Sequence, residues 1–100
     1  MEREEKLLNN IAKLVEVATG VTLQEMREVP KGSKKNLARG VFLVVASVYE
    51  IHPKVVARFL NRSRASIIIT TKRYLDYISV GDKELCEYTQ AILNLLKTIK

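Results

Sequence analysis

Apolar residues recur at helical spacing along almost the whole of this 100-residue chain, and that periodicity excludes most of the folds open to it. Leu7, Leu8, Ile11, Leu14, Val15 and Ala18 make one stripe of a first helix, which Gly20 stops. Thr22 with Glu25 three residues on reads as a capping box, opening a short second helix that ends before Pro30. Residues 29–36 read as a basic loop. A third helix, from Asn36 or Leu37 to Glu50, is apolar nearly all round and is expected at the buried centre, with Val44, Val45 and Val48 in the core. Pro53 suits the first turn of a fourth helix reaching Leu60. Asn61-Arg62-Ser63 breaks the chain, a fifth helix follows from Arg64 to Ile78, and Ser79-Val80-Gly81 ends it. Ser79 or Asp82 can cap a sixth helix, with Leu85, Ile92, Leu93, Leu96 and Ile99 on its apolar side. The triplet Ile67-Ile68-Ile69 has strand propensity, but its flanks are helical and no partner run lies nearby. The expected fold is all-α, a single compact bundle of about six helices.

Composition removes several function classes. A chain that is 47% apolar with four Gly and two Pro is not disordered, and one Cys gives neither a disulfide framework nor a paired-cysteine metal site. The most apolar run, Val41–Tyr49, is too short to cross a bilayer, which needs ~20 residues. The charged start, Met1 to Lys6, does not resemble a secretory signal, so a cytoplasmic protein is expected. The net charge of +6 is unevenly spread. Within residues 29–78, Glu50 and Asp76 are the only carboxylates set against Lys31, Lys34, Lys35, Arg39, Lys54, Arg58, Arg62, Arg64, Lys72 and Arg73. A positive field concentrated in this way attracts polyanions, of which nucleic acid is the commonest.

Two helices joined by about three residues, 53–60 and 64–78, have helix-turn-helix spacing. In that motif the start of the second helix reaches base edges in the major groove. At ~100° per residue Ile68, Thr71, Leu75 and Ile78 share a face expected toward the core, while Arg62, Ser66, Ile69, Thr70, Arg73 and Tyr77 fall opposite. The latter face mixes cations with hydroxyls, the groups that meet phosphates and bases. Arg62, Arg64 and Ser66 are expected deepest in the groove, although Arg64 lies nearer the apolar side and must reach round the helix end. Arg73, further along, is expected on phosphate. Lys31-Gly32-Ser33-Lys34-Lys35, with Arg39, is a second basic element suited to phosphates or a minor groove. The same patterns also suit an ordinary helical hairpin and a solvated loop.

These residues resemble a known family. Leu37-Ala38-Arg39 and the apolar helix after it, Val56-Ala57-Arg58-Phe59-Leu60, Asn61 through Ser66, and Ile68 through Leu75 look like the C-terminal DNA-binding domain of the bacterial chromosomal replication initiator DnaA. Val21 through Met26 resembles that domain's short opening helix, so the resemblance covers about residues 11–78. It implies a helix-turn-helix fold and binding of double-stranded DNA. The basic loop and the helix-turn-helix pattern together give the expected contact set: Lys31, Lys34, Lys35, Arg39, Arg62, Ser63, Arg64, Ser66, Thr70 and Arg73. Arg64, Ala65 and Ile67 stand where the family signature has Asp, His and a second Thr, and Gly40-Val41 replaces its Pro-Arg pair. Recognition of the initiator's own DNA box is therefore not implied. The family's nucleotide-hydrolysing domain has no counterpart here, as no GxxxxGK[ST] occurs.

His52 precedes Pro53 at a helix start and reads as a capping or turn residue. Cys86 reads as a small buried hydrophobe, and Tyr74, Tyr77 and Tyr88 as core-edge or groove-facing packing. With no catalytic, metal or cofactor constellation, the expected function is a non-enzymatic DNA-binding domain, associated with replication or transcription. The alternative is a helical protein–protein interaction domain that keeps the fold without DNA; its motivating feature is the Ile67/Ile69 pair, of which at least one is expected to be exposed.

Overall fold

A computed structural model describes residues 2–28 and 33–98. Six helices follow one another: α1 (Glu2–Thr19), α2 (Leu23–Arg27), α3 (Ser33–Val48), α4 (Pro53–Leu60), α5 (Arg64–Ser79) and α6 (Lys83–Thr98). The chain is an all-α bundle, with no strand among the described residues. No described helix is long and apolar enough to cross a membrane.

Local chemistry sets most of the boundaries. Thr22 Oγ1 accepts from the Glu25 amide at 3.1 Å while Glu25 Oε1 accepts from the Thr22 amide at 3.1 Å, closing the capping box of α2. The Thr22 amide holds the Glu25 carboxyl below its usual range. His52 Nδ1 accepts from the Lys54 amide at 3.1 Å and Pro53 fills the first turn of α4. Asn61 ends that helix in the left-handed region at φ 56°. Of the two candidate caps for α6, Asp82 does the work, accepting from the Leu85 amide at 3.0 Å.

Helix α3 differs from expectation at both ends. It begins at Ser33, so Lys34 and Lys35 lie in its first turn rather than in a loop. It stops at Val48 because Glu50 turns left-handed, at φ 57°, and the Ile51 amide bonds back to the Ala46 carbonyl at 3.1 Å. The chain swings away there, which leaves Val48 53% exposed instead of buried. Val44 and Val45 are enclosed as expected, within an unbroken buried run from Val41 to Ala46 that α1, α5 and α6 pack around. A left-handed conformation costs a non-glycine residue about 1–2 kcal/mol, part of which glycine loses again to unfolded-state entropy. Glu50→Gly should therefore stabilise the fold by roughly 0.5–1 kcal/mol, read as a higher urea midpoint at unchanged slope.

Helix α5 is rotated from the expected register. Its core line is Ile67, 3% exposed, with Tyr74 and Ile78 partly buried, whereas Ile68 and Leu75 are 45% and 39% exposed. The cause is α3. The Tyr74 ring lies where a Cβ on Gly40 would stand, and its hydroxyl donates to the Asn36 carbonyl at 2.9 Å. Seating that ring turns Ile68 and Leu75 off the core and onto the wall of a cleft.

Candidate nucleic-acid interface

The α4–turn–α5 unit has the expected limits, 53–60 and 64 onward. Ser63 is the N-cap of α5, its Oγ accepting from the Ser66 amide at 3.1 Å. The hydroxyl is thus engaged in holding the helix start. Arg64, Ala65 and Ser66 are all exposed on the first turn, and Ile69 is 60% exposed one turn on. Lys72 and Arg73 are exposed as well, Thr70 is half-buried, and the first carboxylate along the helix is Asp76.

Arg62, expected to reach bases, is held elsewhere. Its Nη2 donates to the carbonyls of Arg27 at 2.9 Å and Glu28 at 2.6 Å, at the C-terminal end of α2. Arg39 shares the Glu28 carbonyl, with Nη2 3.0 Å from that oxygen and 3.3 Å from the Met26 oxygen. Helix α2 leaves its last carbonyls without intrahelical partners, and two guanidiniums supply donors to them. In this arrangement Arg62 ties the turn of the α4–α5 unit to α2 rather than projecting toward a groove. Arg27 adds a further tie, its Nε donating to the Phe59 carbonyl at 2.8 Å and its guanidinium lying 5.3 Å from the Phe59 ring centre.

The two guanidiniums also feel one another. Burial lowers the affinity of Arg39 for its proton, and the neighbouring charge of Arg62 lowers it further. Tyr74 lies close by. Burial and Tyr77 push its phenol up, while Arg39 and Arg73 pull it back. Arg39 therefore lies between Arg62, with which it shares the Glu28 carbonyl, and Tyr74, which Arg73 precedes on α5 where that helix crosses the N-terminal half of α3. Lys34 is exposed in the first turn of α3. Lys35 lies 3.7 Å from Glu25, the one ion pair among the described residues. Lys31 lies outside the described residues. Arg64 is exposed at the start of α5.

The cleft, about 420 Å3, is walled by Leu43, Ile51, Val56, Ile67, Ile68 and Leu75. Glu50, His52 and Lys72 stand at its rim. The described residues contain no group of three His, Cys, Asp or Glu that could hold a metal. Cys86 is half-buried, more accessible than its sequence context implies. No protein-family model, no curated protein and no solved structure matches this chain.

Sequence reasoning missed the clamp made by Tyr74, although a signal for it existed. Gly40 interrupts an otherwise apolar helix, and a glycine in a helix interior often marks a close approach. The part played by Arg27 had no such signal.

Proposed function

We propose that this chain is a non-enzymatic domain that binds double-stranded DNA in the cytoplasm, in a replication- or transcription-associated role. The supporting observation is a set of cations, Arg39 beside Arg62, Arg73 beside Tyr74, and Lys34 exposed in the first turn of α3, in which no carboxylate pairs with any of the four among the described residues. It adjoins the exposed start of the second helix of a helix-turn-helix unit. The sequence resemblance to the C-terminal domain of DnaA favours the same reading. Phosphate contacts supply affinity, and the first turns of α5 supply sequence preference.

The test is retardation of a mixed-sequence duplex at rising salt. Affinity should fall linearly on logarithmic axes, and Lys34→Gln with Arg73→Gln should flatten that slope by roughly two units. In selections from random duplexes Arg64→Ala should relax the enriched motif, whereas Arg73→Ala should weaken all sequences alike. A wild-type domain that leaves duplex unretarded at low salt sinks the reading. The second reading, a protein-interaction domain, draws its support from the apolar cleft, where Ile68 and Leu75 stand partly exposed for a partner helix. It requires no binding to duplex.

A further inference from the structure

The first two turns of α5 present an unusual set of side chains for reading bases. Ala65 and Ile69 are four residues apart, on one line of the helix, and both are exposed. Ser66 lies beside them and Arg64 at the helix end. Arg62 is engaged with the carbonyls of α2. No Asn, Gln, Asp or Glu occurs in α5 before Asp76. The chain thus lacks, on this surface, the amides that grip adenine and the carboxylates that accept from cytosine. Among the groups displayed in the major groove, one is apolar: the 5-methyl of thymine. An exposed isoleucine on the leading line of such a helix has no polar function there, and water is a poor neighbour for it.

Building on the duplex-binding reading above, we infer that Ile69 contacts a thymine methyl group beside Ala65, so that the domain prefers thymine-bearing duplex through apolar contact rather than through hydrogen bonds. Arg64 and Ser66 supply polar contacts at the edge of that apolar patch, and Arg73 fixes the helix on phosphate.

Replacing thymine by deoxyuridine removes the methyl and leaves every hydrogen-bonding group in place. A short A·T-rich duplex and its deoxyuridine counterpart should be titrated with the wild-type domain and with Ile69→Ala. The wild type should bind the uracil duplex about fourfold more weakly, the factor for one methyl lost from an apolar contact. Ile69→Ala should bind both duplexes with equal affinity, close to that of the wild type for uracil. Because Ile69 is exposed, the variant keeps the fold, which its far-UV circular dichroism checks. Equal wild-type binding to the two duplexes overturns the inference and leaves duplex binding standing. A uracil penalty that persists in Ile69→Ala also overturns it, since the penalty then arises from duplex shape. A wild-type domain that retards neither duplex at low salt overturns this inference together with the reading on which it rests.

Discussion

Val45→Asp should leave the chain unfolded at 25 °C, whereas Val48→Asp should remain folded. Both residues sit on α3, and the sequence pattern gives them the same expected place. Val45 is fully enclosed and Val48 is 53% exposed. An aspartate at 45 has to ionise without a partner in an apolar interior or take up a proton there, and either costs several kcal/mol. Loss of the buried valine side chain adds about 2 kcal/mol. A domain of this size has only about 5–15 kcal/mol to lose. At 48 the carboxylate reaches water and the cost is within about 1 kcal/mol. Far-UV circular dichroism with urea titration separates the two. A cooperative transition for Val45→Asp near the wild-type midpoint would show that α3 is not the centre of the bundle.

Arg62→Ala should lower stability by about 2 kcal/mol, or roughly 10 °C in Tm. The guanidinium donates to two main-chain carbonyls, and truncation leaves both without that donor. Hydrogen bonds from a charged donor are worth about 1.5–3 kcal/mol each in protected settings, and the half-buried site reduces the pair to the lower figure. Arg62→Lys should restore only part of the loss, since an ammonium lacks the planar fork that spans two oxygens. Adding Arg39→Ala should give more than the sum of the single effects, because either arginine alone still donates to the Glu28 carbonyl and only the double variant strips it. Calorimetry on the three variants measures this. A change below about 0.5 kcal/mol for Arg62→Ala would release Arg62 from its structural part and return it to the candidates for base contact.

Residues that act locally made the helices legible. The capping box at Thr22 and Glu25, Pro53 after His52, and the break at Asn61 each set a helix end through groups a few residues apart. Facial register was less accessible. Over α5 the lines through Ile67 and through Ile68 are about equally apolar, and the choice between them is made by Gly40, far away in sequence, where the ring of Tyr74 fits. The same distance hid the conversion of Arg39 and Arg62 from surface cations into donors for α2. Composition identifies their charge, but only the folded chain brings three carbonyls within their reach. The exposure of Ile69 fits the expectation that one of the Ile67/Ile69 pair faces water.

The paired guanidiniums on α2 carry a thermodynamic consequence. Arg39 and Arg62 hold like charge side by side, each with a buried Nε that has no protein partner, and no carboxylate pairs with either among the described residues. The fold therefore carries a repulsion that its own residues do not neutralise. A polyanion bound along this flank would relieve that repulsion in the native chain and would have no equivalent effect on the unfolded one, where the two arginines are far apart. By linkage the ligand's binding free energy then appears as resistance to unfolding. A domain holding a polyanion there would be a tighter structure than the domain alone, with the gain concentrated at the joint between α2 and the turn before α5.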